Sequence, residues 1–178
     1  MGSIVNDIII DAAFTFEAPL TESDLDRLYE TGREYAWTKA ESANIYFSHS
    51  LDNLRTFDEH EPDAAEVRDH LGEDDLGDWR KVMQTAAMIA TDRALTAQLE
   101  TDIERIRAAL HETEAEGYDV RGLANTCTHG WAPHSSEATW NAGELLRWPR
   151  LEGGPDAYLL RVRLWGGATV WLDLVPLE

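Results

Sequence analysis

From Trp79 to Glu116 the sequence contains neither glycine nor proline, and Ala, Leu, Gln, Glu and Arg dominate it. A run of 38 such residues carries no strand punctuation, so its propensity predicts one long helix over about 79–116. Trp79, Met83, Ala86 and Ala90 form one apolar stripe. After a phase slip near Thr91-Asp92 it is continued by Leu95, Leu99, Ile103, Ile106 and Leu110. At about 1.5 Å per residue the helix would reach ~57 Å, longer than a globule of 178 residues is wide. Either it breaks at Thr91-Asp92, or its end projects and packs on a second copy. The second option predicts a homodimer through the long helix.

The segments before it are shorter. In Asp7 to Glu17, Ile8, Ile10, Ala12, Phe14 and Phe16 alternate with more polar neighbours, which predicts an N-terminal strand ended near Pro19. Thr21 and Asp24 stand at capping-box spacing, with Asp in the place of the usual Glu. Leu25, Leu28, Tyr29, Gly32, Ala36 and Ala40 then follow at helical spacing, so a helix is expected from about Glu22 into the low 40s. Residues 44–59 hold apolar side chains that fit no single period. Residues 58–78 read as an acidic connector around a short helix opened by Pro62 and closed by Gly72. Asp78 is placed to cap the long helix.

The C-terminus predicts a hairpin. Tyr158 to Trp165 and Thr169 to Val175 flank Gly166-Gly167-Ala168. Pairing Leu164 with Val170, Val162 with Leu172 and Leu160 with Leu174 makes one face wholly apolar. The other face then carries Arg161, Arg163, Trp165, Trp171 and Asp173. A slip of one residue would exchange the faces, so burial is expected to enforce this register, with a turn of odd length or a bulge on a glycine. Residues 117–156 between helix and hairpin read as a polar, tryptophan-containing loop region, with one further strand expected near Leu123 to Trp131. Together these elements predict an α+β domain spanning 1–178. Its architecture would be a two-layer sandwich, with a small antiparallel sheet (N-terminal strand plus C-terminal hairpin) and helices on one face.

Charge narrows the partners. Thirty-four acids against fifteen bases leave a formal charge of −19, which repels nucleic-acid phosphates and anionic membrane surfaces. Thirteen of the bases are Arg and two, Lys39 and Lys81, are Lys, a bias that reports base composition or salt adaptation before any binding role. No apolar run approaches the ~20 residues of a membrane span. One cysteine, Cys127, allows no internal disulfide and, with no leader pattern at the start, fits a cytoplasmic protein.

No P-loop, dinucleotide fingerprint, nucleophile elbow or zincin motif is present. The densest reactive cluster is Cys127, His129 and His134, three ligands a zinc ion accepts, with a fourth position left for water or a distant carboxylate. A metal-dependent hydrolase centred on these residues is therefore one expectation. His60 and His70 lie among Asp63, Glu66 and Asp69, a second and weaker grouping for a divalent cation.

The other expectation, and the leading one, is a non-enzymatic interaction protein without cofactor: an inhibitor, immunity protein or assembly component. Ten of the acids fall between Asp58 and Asp78 against the single base Arg68, an acidic surface, including Asp74 and Asp75, suited to a basic protein partner. Five of seven tryptophans lie in the last 48 residues. Trp165 and Trp171 share the outward hairpin face with Arg161 and Arg163, and Trp and Arg are the types enriched at binding hot spots.

The crowding of like charge generates a first prediction. Screening should relieve repulsion within residues 58–78, so the melting temperature should rise steadily from low to molar sodium chloride. Thermal melts that stay flat over that range would contradict it.

Overall fold

Ser3 opens the first element. Its hydroxyl accepts a hydrogen bond from the Val5 amide at 3.3 Å and its carbonyl accepts one from the Asp7 amide at 3.0 Å, the pattern of a helix N-cap. In the computed structural model, which describes residues 3–11, 20–42, 59–124, 136–148 and 154–178, helix α1 (Ile4–Asp11) follows. This corrects the expected N-terminal strand. Ile8 and Ile10 alternate, but Ile4, Val5 and Ile8 also lie on one helical face. That face is the one buried, at 1%, 0% and 1% exposure. Residues 12–19 of the expected strand lie outside the described residues.

Helix α2 (Glu22–Ser42) starts at the expected box. The Asp24 carboxylate accepts from the Thr21 amide at 2.9 Å and the Thr21 hydroxyl at 2.8 Å, while the Asp24 amide donates to that hydroxyl at 3.3 Å. These donors hold the Asp24 carboxyl below the ordinary aspartate range, the Thr21 amide contributing most.

Helix α3 (Ala64–His70) is the short helix of the acidic segment. Its cap is Asp63, not the expected Pro62 pattern. The Asp63 carboxylate accepts from Ala65 and Glu66 amides at 2.8 and 2.9 Å, and Glu66 returns a contact to the Asp63 amide at 2.9 Å. Pro62 thus stands one residue outside. A single 3-10 turn (Glu73–Asp75) leads into helix α4 (Trp79–Ala115), where the Asp78 carboxylate accepts from the Arg80 amide at 3.0 Å.

Helix α4 is unbroken at Thr91-Asp92. There the Thr96 hydroxyl donates to the Asp92 carbonyl at 2.7 Å, and Arg33 pairs with the Asp92 carboxylate at 3.2 Å. The described chain groups into two compact units, Thr31–Gln98 on one side and Met1–Glu30 with Leu99–Glu178 on the other. In the first, Val67, Ala86 and Ile89 form a small buried cluster, with Leu71 and Val82 packed on it. Arg93 pairs with Glu66. In the second, Leu99, Ile103, Ile106 and Ala109 of α4 form the buried stripe.

That second unit contains a five-stranded antiparallel sheet in the order β1-β5-β4-β3-β2: β1 (Tyr118–Leu123), β2 (Ser136–Thr139), β3 (Glu144–Trp148), β4 (Ala157–Arg163) and β5 (Thr169–Pro176). The fold is α+β, as expected, but the sheet is built differently. Residues 117–156, expected to be polar loop, supply three of its strands. The strand expected near Leu123 to Trp131 ends where it was to begin, and residues 125–131 lie outside the described residues. The turn between β2 and β3 explains why it was hidden. The Trp140 amide donates to the Gly143 carbonyl at 2.7 Å, and a Cβ at Gly143 would sit 2.3 Å from the Arg161 carbonyl oxygen. Only glycine fits between β3 and β4 there.

The hairpin β4–β5 has the expected faces but a register displaced by two residues. Val162 faces Val170, Leu160 faces Leu172 and Tyr158 faces Leu174. Leu160, Val162, Leu164, Val170, Leu172 and Leu174 are all buried. The turn is the odd loop Trp165-Gly166-Gly167, closed by Leu164 amide to Ala168 carbonyl at 2.8 Å, with Gly167 at φ 82°. A displacement of two preserves parity, so burial is satisfied by both registers. Each closes with three turn residues, and the position of the turn, at 165–167 instead of 166–168, decides between them.

Helix α4 is tied to one end of this sheet. The buried Asp102 carboxylate accepts from the Trp165 amide at 2.8 Å and from the Ser3 hydroxyl. One turn on, Arg105 donates to the Arg163 carbonyl at 2.9 Å. Two turns further, the Glu112 carboxylate accepts from the Asn141 and Ala142 amides, both at 2.7 Å.

Asp102→Ala would strand the buried Ser3 hydroxyl and leave the part-buried Trp165 amide without its acceptor. It should cost about 3 kcal/mol in urea unfolding, more than the loss for an exposed acid such as Glu104→Ala. For Asp24 the folded pKa lies below the unfolded one. Its stabilisation is therefore complete above the unfolded value and is lost as pH falls through the folded value. Asp24→Asn should be destabilised by about 1 kcal/mol at neutral pH, and the gap to wild type should close as the pH falls below about 4. A gap unchanged at acidic pH would refute this.

Candidate functional site

Among the described residues the most exposed large apolar side chain lies where the sequence predicts a buried stripe. Ala86 and Ala90 of that stripe are buried, but Trp79 and Met83, one turn apart on the same face of α4, are 70% and 46% exposed, and Leu76 just before the helix is 40% exposed. The stripe thus continues outward past the small cluster of Val67, Ala86 and Ile89. No shell of its own covers it among the described residues. Surface apolar groups scattered singly are ordinary, whereas Leu76, Trp79 and Met83 are exposed within eight residues of one another along the chain.

Its surroundings are charged. Glu73, Asp74 and Asp78 are exposed beside it. Asp75 is half-buried and pairs with Lys81, and its hydrogen bond holds the Lys81 ammonium above its ordinary range. The Arg80 guanidinium lies 5.5 Å from the Trp79 ring centroid. Upstream, Glu61, Asp63 and Asp69 are exposed as well, so the segment presents carboxylates to solvent as expected. On the same unit Trp37, 37% exposed, stands 6.4 Å from the His70 ring.

The outward hairpin face is more engaged than the sequence suggests. Arg161 faces Trp171 across the strands, its guanidinium 5.8 Å from the ring centroid. Arg161 forms an ion pair with Glu144 of β3. Arg161, Trp171 and Asp173 are half-buried, and Leu146 and Leu159, paired across β3 and β4 on the same side, are buried. Of the expected contact residues on this face only Arg163 and Trp165 are exposed, Trp165 at 57%. Asp74 and Asp75 belong to Thr31–Gln98, and the hairpin residues to the other unit, so the expected contact residues fall into two separate groups.

Cys127, His129 and His134 lie outside the described residues. Among the described residues no group of three or more His, Cys, Asp or Glu side chains is arranged to hold a metal ion, and His60 and His70 form no such group. His70 Nδ1 instead contacts the Glu66 carbonyl at 2.9 Å. No described helix is long and apolar enough to cross a membrane.

Two features escaped the sequence. The exposure of Trp79 was hidden because its stripe is continuous with buried alanines, so spacing alone marks it as core. Asp102 was hidden among thirty-four acids. No family model, curated protein or solved structure matches the chain.

Proposed function

We propose that this chain is a non-enzymatic interaction protein, of the inhibitor, immunity or assembly kind, that docks a basic segment of a protein partner on the Leu76–Trp79–Met83 surface. The exposure of Trp79 carries the proposal. A tryptophan left 70% open at a helix start gives a partner a large apolar anchor, and truncation of such anchors typically accounts for much of a binding energy. Its acidic rim selects the partner's chemistry. Glu73, Asp74 and Asp78 beside the patch complement Lys and Arg flanking an apolar anchor, and a chain of net charge −19 steers a cationic partner in quickly. Asp74 and Asp75, expected as partner-binding residues, fall next to this patch. Arg80 over the Trp79 ring pre-positions the indole and lowers the cost of ordering it on binding.

The test uses two synthetic amphipathic helical peptides of equal apolar content, one Lys/Arg-rich and one Glu-rich, titrated calorimetrically. The basic peptide should bind and the acidic one should not. Trp79→Ala should weaken binding by ~2 kcal/mol while shifting chain stability by less than about 0.5 kcal/mol, as befits an exposed side chain. Asp74→Asn should slow association and flatten its salt dependence. Equal binding of both peptides, or no loss on Trp79→Ala, would overturn the proposal. So would sedimentation showing that Trp79 is buried between two copies of the chain, since the occupant would then be the chain itself.

A further inference from the structure

Most described arginines are matched by carboxylates. Arg27 pairs with Asp24, Arg33 with Asp92, Arg93 with Glu66, Arg107 with Glu22, Arg147 with Asp156 and Arg161 with Glu144. Among the described residues Arg68, Arg80, Arg105, Arg121 and Arg163 form no such pair. Two of these, Arg105 and Arg163, line the same recess.

This recess, of about 690 Å³, lies within the sheet-bearing unit, between α4 and the end of the sheet where the β2–β3 and β4–β5 turns sit. It is lined by Arg105, Ala108, His111, Glu112, Asn141, Ala142 and Arg163. Arg105, His111, Asn141 and Arg163 all have exposed side chains. Arg105 spends one guanidinium nitrogen on the Arg163 carbonyl, which ties the guanidinium to the strand end beside the recess it lines. Glu112, the one carboxylate among the described lining residues, has each oxygen already accepting a backbone amide at 2.7 Å, from Asn141 and from Ala142. Its charge is partly offset by those dipoles, and it locks the turn that forms the opposite wall. The walls are therefore set before any ligand arrives, and the size suits a small molecule.

We infer that this recess is a binding site for a small oxyanionic ligand, one carrying a carboxylate or a phosphate gripped between the Arg105 and Arg163 guanidinium groups. Guanidinium forks match both oxyanions bidentately. The His111 imidazole and the Asn141 amide lie within the same recess and supply polar contacts to the rest of the molecule. The opposed charge of the whole chain slows a free anion's approach, so affinity rests on these short-range contacts. The site is independent of the Trp79 surface, and neither stands or falls with the other.

The test is amide NMR titration of the intact chain with inorganic phosphate, a sugar phosphate, succinate and citrate, each at constant ionic strength against sodium chloride. Shifts confined to residues 105–112, 141–142 and 163, produced by phosphate probes, by carboxylate probes or by both, support the site and identify the oxyanion. Arg163→Gln, an exposed change, should weaken the best probe about tenfold or more, and Arg105→Gln with Arg163→Gln should abolish it. Arg121→Gln, exposed elsewhere on β1, should leave it unchanged. Saturation by none of the four probes at millimolar concentration overturns the inference. A loss in Arg121→Gln equal to that in Arg163→Gln also overturns it.

Discussion

A carboxylate with 0% exposure is costly unless its oxygens are satisfied, and at Asp102 that requirement organises the sheet-bearing unit. One oxygen takes the Trp165 amide at the tip of the β4–β5 turn and the other takes the Ser3 hydroxyl at the cap of α1. Placing a negative charge against the start of α1 also suits the positive end of that short helix. Three pieces of chain far apart in sequence must therefore be correctly placed at once. A misplaced turn or an unwound first helix would take away one of these donors from a carboxylate with 0% exposure.

Arg105 and Glu112 extend the same logic along α4. Each uses a charged side chain to satisfy backbone groups at strand ends, where the ladder leaves donors and acceptors open. Successive turns of the helix thus fasten first the β4–β5 turn, then the end of β4, then the β2–β3 turn. The hairpin register follows from this fastening as much as from burial. Parity places Leu160 and Leu172 inward, and the three-residue turn held at Trp165 fixes which inward residues meet.

What could be read from the sequence was what depends on period and caps. The long helix, the Thr21–Asp24 and Asp78 caps and the faces of the hairpin all follow from spacing along the chain, and all are found. The first strand failed because Ile8-Ile9-Ile10 satisfies two periods, and Ser3, whose role depends on a contact 99 residues away, gave no local signal. Strands β2 and β3 are short, and β3 has buried leucines on both faces at Leu145 and Leu146, so no alternation marks it. The candidate surface was half legible. Asp74 and Asp75 were identified by charge density, but the openness of Trp79 is a property of where the neighbouring cluster stops, and the recess by Arg105 is made by residues from three separate segments.

The two outermost strands of the sheet have a consequence for how the protein behaves when crowded. An outer strand offers open amides and carbonyls to any extended chain that drifts past. Here one outer strand, β2, is four residues long and exposes Ser136, Glu137 and Thr139. The other, β1, is interrupted between Val120 and Gly122 and exposes Asp119 and Arg121. Brevity on one side and an irregular, charged rim on the other make both poor templates for adding a foreign strand. Adding a foreign strand along this sheet would therefore need either rim to be reshaped first.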